Sequence, residues 1–161
     1  PNTVAKAVAA ATRLKVKMLT IHISGGDEMI QAAVFAAKAQ AEAISICRPL
    51  IIGVTILTSS VAKSKDVLNL AKKGIANGLD GIVCSAGEAV LIRKKIKKDF
   101  MIVTPGIRAD QVVDDQKRTA TVKQAVKAGS DFLVIGRPIL KAADALKMTE
   151  EILGDLYGAR N

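Results

Sequence analysis

Aromatic residues are scarce: the 161 residues hold no Trp, one Tyr and three Phe. Single-stranded nucleic acid is usually bound on aromatic faces, so a base-stacking platform is excluded as the basis of function. Histidine occurs once, as His22, with no Asp, Glu or Cys at ligand spacing around it. That argues against a metal centre or a Ser-His-Asp relay and leaves His22 as a core or rim residue of a strand. Cysteine occurs twice, and neither Cys47 nor Cys84 has a CxxC or Cys/His neighbourhood. Both are read as buried, reduced thiols of a cytoplasmic protein. No apolar run approaches the ~18 residues of a membrane-spanning helix. The opening Pro1-Asn2-Thr3 has no basic or apolar stretch of a signal peptide and no initiator Met, which suggests that residues precede it.

What is present is a chain of which half the residues are apolar, too hydrophobic to remain disordered and short enough for one core, so 1–161 is read as one domain. The formal charge is +9, most concentrated in Arg93-Lys94-Lys95-Ile96-Lys97-Lys98. With no zinc spacing or RNA-binding signature beside it, this cluster reads as a solvated helix end rather than a polynucleotide site. The basic balance also suits a small anionic substrate.

Short β-branched runs alternate with alanine- and lysine-rich stretches of helical periodicity. Strands are predicted at Met18–Ser24, Leu50–Leu57, Gly81–Ser85, Phe100–Thr104 and Phe132–Ile135. Helices are predicted at Val4–Arg13, Glu28–Ile44, Lys65–Asn77, Glu88–Lys97, Val122–Ala128 and Ala142–Leu156. Gly78, Gly129 and Gly154 are placed as left-handed helix caps. Nearly continuous hydrophobicity in the strands predicts a parallel sheet covered on both faces. A doubly wound sheet would open on a strand and a Gly-rich turn, whereas Gly25-Gly26 lacks the rest of a dinucleotide fingerprint. The order fits an α/β fold better described as an incomplete (β/α)8 TIM barrel of about five strands. Its two unpaired edges would recruit another piece or another chain.

Barrel chemistry gathers at the C-terminal ends of strands, with phosphate held after the last two. There the sequence reads Thr104-Pro105-Gly106-Ile107-Arg108 and Ile135-Gly136-Arg137-Pro138. Glycine admits an anion to the backbone, and the arginine fork matches phosphate oxygens. Gln116 is a further uncharged donor. Thr58-Ser59-Ser60 ends another strand at the same rim, either to pair with a base edge or to cap the next helix. Asp80 and Asp131 precede strands, at the opposite end, where residues serve stability.

Read in order, PNTVAKAVAAA, IHISGG, LIIGVTILTSS, GLDGIVCSAGEA, FMIVTPGIR, DQKR and AGSDFLVIGRPI resemble the bacterial orotidine 5′-phosphate decarboxylase family over nearly the whole chain. The resemblance implies a ribulose-phosphate-binding type of barrel and decarboxylation of orotidine monophosphate to uridine monophosphate and CO2 in pyrimidine biosynthesis. It implies a small nucleotide as partner, no cofactor or metal, and no membrane or nucleic acid. Arg108, Gln116, Gly136 and Arg137 would hold the 5′-phosphate, Thr58 and Ser59 would meet the pyrimidine, and Pro105 would line the pocket. Thr3 would reach a ribose hydroxyl in the neighbouring subunit of a homodimer. In the family an Asp/Lys network stabilises a carbanion at C6 and a Lys protonates it, while closure of the phosphate loop lets remote binding energy act on the transition state. The Asp-x-Lys-x-x-Asp motif that carries this chemistry does not occur in the 161 residues. It is expected upstream of Pro1, and no catalytic residue is assigned within the chain. The alternative is a phosphate-binding partial barrel without catalysis. The segment after Ser59 and the loop between Arg108 and Gln116 are shorter than the family pattern.

Overall fold

A computed structural model describes residues 1–57, 63–108 and 119–159. Elements follow as α1 (Asn2–Arg13), β1 (Met18–His22), a 3-10 turn (Ile23–Gly25), α2 (Asp27–Ala43), β2 (Leu50–Val54), α3 (Ser64–Ala76) and β3 (Gly81–Val83). They continue as α4 (Ala86–Lys95), β4 (Met101–Thr104), α5 (Val122–Lys127), β5 (Phe132–Leu133), α6 (Arg137–Leu140) and α7 (Ala145–Gly158). The predicted alternation is observed; four strands end earlier than expected, β4 ends at Thr104 as expected, and one short helix, α6, was not foreseen. Gly78 and Gly129 have φ of 93° and 90°, as their cap positions require. Gly154 instead lies inside α7.

The chain forms two compact units, the first comprising Pro1–Thr55, Lys65–Val83 and Lys98–Met101, the second Ile56–Ser64, Cys84–Lys97 and Ile102–Asn161. In the first unit β1 pairs with β2 in parallel from Met18↔Leu50 to His22↔Val54, and β2 with β3 from Ile52↔Gly81 to Val54↔Val83. The middle of β2, Ile51-Ile52-Gly53, is buried, so this strand is covered on both faces. In β1, Ile21 is buried while Thr20 and His22 are exposed, which corrects the expectation of cover on both faces and puts His22 in solvent. Helix α2 buries Met29, Ile30, Ala33, Ala37 and Ala41, a stripe at helical spacing. Thr12 of α1 is fully buried and satisfied by donating to the Val8 carbonyl at 2.8 Å. Cys84 is buried as expected, but Cys47 is exposed in the turn after α2, outside the apolar packing that the expectation assumed.

In the second unit the Cys84 N–H donates to the Val103 carbonyl at 3.2 Å, and β4 pairs with β5 in parallel through Val103↔Phe132 and Thr104↔Leu133. Within each unit the paired strands are parallel and follow chain order, with helices between them. This is the pattern of a (β/α)8 barrel with five of its strands represented. Strand β5 again departs from two-sided cover, with Phe132 46% exposed and Val134 just beyond it 53% exposed.

One device recurs in both units. Asp80, before β3, accepts from the Ile51 N–H at 2.8 Å and from both terminal nitrogens of Arg48 at 2.7 and 2.6 Å. Asp131, before β5, accepts from the Ile102 N–H at 2.6 Å and from Arg93 at 2.5 Å. Each carboxylate thus holds the second residue of the preceding strand at the N-terminal end of the sheet, the stabilising role expected there. Arg93, which also donates to the Gly129 carbonyl at 3.0 Å, is part of this clasp and not of a solvated cluster. Lys94, Lys95, Lys97 and Lys98 are exposed as expected.

Candidate phosphate site

Strand β4 delivers its C-terminal end with little freedom. Thr104 is fully buried, and its hydroxyl lies 2.6 Å from that of Ser130. Pro105 is half-buried, and Gly106 turns the chain at φ 77°, a left-handed value that side chains resist. Ile107 then forms a parallel bridge with Ala120. The Ala120 N–H donates to the Gly106 carbonyl at 3.2 Å, and its carbonyl accepts from the Arg108 N–H at 2.9 Å. Arg108 is only 8% exposed, and one of its terminal nitrogens donates to the Ile107 carbonyl at 3.0 Å. A guanidinium carries five N–H donors and cannot shed its charge, so it suits a buried anion contact better than lysine would.

Strand β5 supplies the second turn. Beyond Leu133, the Val134 N–H donates to the Thr104 carbonyl at 2.9 Å, carrying the ladder one residue further. Gly136 is exposed, and a Cβ built on it would meet nothing within 4 Å, so its backbone faces open space. Arg137 follows, half-buried, as the first residue of α6, with Pro138 in the first turn where no N–H is needed. Register relates the two arginines: Thr104 pairs with Leu133, and Arg108 and Arg137 each stand four residues beyond. Pro105, Arg108, Gly136 and Arg137 therefore all follow the C-terminal ends of adjacent strands in the second unit. Such a pair of cationic turns with an open glycine backbone matches what a phosphate dianion needs.

Thr3 belongs to the first unit, exposed in the first turn of α1. Thr58, Ser59 and Gln116 lie outside the described residues. One polar group at the C-terminal end of β3 was not singled out from the sequence. The carboxylate of Glu88, 5% exposed, accepts from the Ser85 N–H at 3.0 Å and from its hydroxyl at 2.7 Å. Its signal was legible as Ser-x-x-Glu ahead of an apolar run, the spacing of a capping box. Among the described residues, no cluster of three His, Cys, Asp or Glu is arranged to hold a metal, and no helix is long and apolar enough to cross a membrane.

The model of the orotidine 5′-phosphate decarboxylase / HUMPS family matches residues 1–152. The orotidine 5′-phosphate decarboxylase of Wolbachia pipientis is 45% identical over 97% of this chain and 71% of that protein. That of Laribacter hongkongensis is 47% identical over 91% of this chain but 63% of its own length. Among solved structures, the orotidine 5′-phosphate decarboxylase from Lactobacillus acidophilus superposes with a TM-score of 0.82 at 33% identity, covering 97% of this chain and 70% of the other. The chain thus spans about two thirds of the length of the relatives it matches. With the parallel strand order and the paired Gly/Arg turns, these matches place the chain in the orotidine 5′-phosphate decarboxylase / HUMPS family.

Proposed function

We propose that this chain grips the 5′-phosphate of a pyrimidine nucleotide between Arg108, Gly136 and Arg137, and that the protein decarboxylates orotidine monophosphate to uridine monophosphate. The observation that carries the reading is the equal offset of Arg108 and Arg137 from a paired register position on adjacent parallel strands. Pro105 lines the same turn, and Gln116, Thr58 and Ser59 are assigned to phosphate and pyrimidine by the family pattern. In the reaction the bond from C6 to the carboxylate carbon breaks, its electron pair stays on C6, and a proton replaces CO2. Phosphate binding far from C6 contributes by fixing the substrate and by supplying binding energy that is realised at the transition state.

The protein is further proposed to act as a homodimer in which Thr3 serves the partner's site. Its exposure in the first turn of α1 supports that reading. A second reading is binding without chemistry, since the side chains assigned to the site, Arg108 and Arg137, are anion-binding groups. Calorimetry with uridine monophosphate, run beside a spectroscopic assay of orotidine monophosphate loss, separates the two. Binding with turnover supports the decarboxylase, binding without turnover supports the phosphate-binding barrel, and no binding overturns both.

A further inference from the structure

We propose that Glu88 is a positioning residue of the phosphate arm, setting the turn after β3 against which the base of the Arg108 turn packs. The inference rests on the phosphate reading of Arg108 and Arg137 and extends it to a residue that touches no substrate. A carboxylate this deep is costly to bury, and a helix start needs only a neutral cap. One oxygen of Glu88, Oε2, takes both the backbone N–H and the hydroxyl of Ser85. Ser85 is thereby held between two fixed neighbours. On one side Cys84 is bonded to Val103 of β4. On the other, Ala86 belongs to one buried cluster with Ile107, Val122, Ala125 and Ile152. Ile107 is the residue whose carbonyl accepts from the Arg108 guanidinium and whose bridge to Ala120 sets the Arg108 backbone. A shift of Ser85 moves Ala86 and, through this cluster, the seat of Arg108.

The test is a calorimetric titration of the full chain with uridine monophosphate and with uridine. The ratio of the two affinities isolates the contribution of the phosphate. In Glu88→Ala that ratio is expected to fall roughly tenfold, equivalent to about 1.4 kcal/mol, with uridine affinity unchanged. Glu88→Gln fills the same volume, and its amide oxygen can accept from both the Ser85 N–H and the Ser85 hydroxyl as Oε2 does, so it restores the ratio. An unchanged ratio in folded Glu88→Ala, or equal losses for both ligands, overturns the proposal. If Glu88→Ala does not fold, Ser85→Ala decides: a fall of about threefold supports the proposal and an unchanged ratio overturns it. A parent chain that does not bind uridine monophosphate overturns the phosphate reading itself, and this inference with it.

Discussion

Replacing Asp80 by Asn removes a carboxylate that accepts two bonds from Arg48 and one from the Ile51 N–H. The amide keeps one oxygen and turns its N–H groups toward the guanidinium, so the fork loses its partner. Bonds to charged groups are worth ~1.5–3 kcal/mol, but the Arg48 side chain is 37% exposed against 17% for Asp80. Allowing for solvent screening, the substitution should cost about 2 kcal/mol at neutral pH. With a urea slope near 2 kcal/mol per M, the unfolding midpoint should fall by about 1 M. The pH dependence is a second check. Burial pushes the Asp80 carboxyl up, but the bonds from Arg48 and Ile51 and the charges of Arg48 and Lys98 outweigh it and hold the group below its ordinary value. For its part, the Arg48 guanidinium is raised chiefly by its bond to Asp80. A carboxyl lowered on folding contributes stability in full above its unfolded pKa, near 3.9, and loses it as pH falls through the folded value. The gap between parent and Asp80→Asn should therefore be widest from about pH 5 upward and should close toward more acid solution. A gap below about 0.5 kcal/mol at pH 7, or one that stays constant to pH 3, would refute this reasoning.

Gly81→Ala is expected to destabilise by about 2 kcal/mol, because the new Cβ would stand 2.5 Å from the Met101 carbonyl oxygen, a backbone atom unable to turn aside. Thermal unfolding followed by circular dichroism reads this directly, and a melting temperature within a degree of the parent would count against the close approach. Gly106→Ala should strain the turn at φ 77° by about 1–2 kcal/mol and, by displacing Arg108, weaken uridine monophosphate more than uridine. Equal affinities in parent and variant would show that this turn does not place the phosphate ligand.

The five strands were legible because each is a compact apolar run between helical patterns, and their order follows from short connections. Their extent was less legible. Predicted Phe132–Ile135 carries the apolar pattern of a covered strand, yet the strand itself is Phe132–Leu133 and Phe132 faces solvent. Apolar pattern alone does not record which face of a strand another element covers. The Gly/Arg turns were visible because each is local in sequence. Their geometric relation was not, since it depends on the register between β4 and β5. Asp80 and Asp131 were placed at the stabilising end, but their partners Arg48 and Arg93 lie 32 and 38 residues away, beyond any local pattern. Glu88 was readable as a helix-start signal, whereas its depth of burial comes only from packing.

The most direct measurement of the phosphate account is a double-mutant cycle on uridine monophosphate affinity, using Arg108→Lys, Arg137→Ala and the two combined. If both arginines grip one phosphate, each single change weakens binding, and the pair departs from additivity by about 1 kcal/mol or more. Strict additivity, or affinity untouched by Arg137→Ala, would contradict a shared 5′-phosphate site.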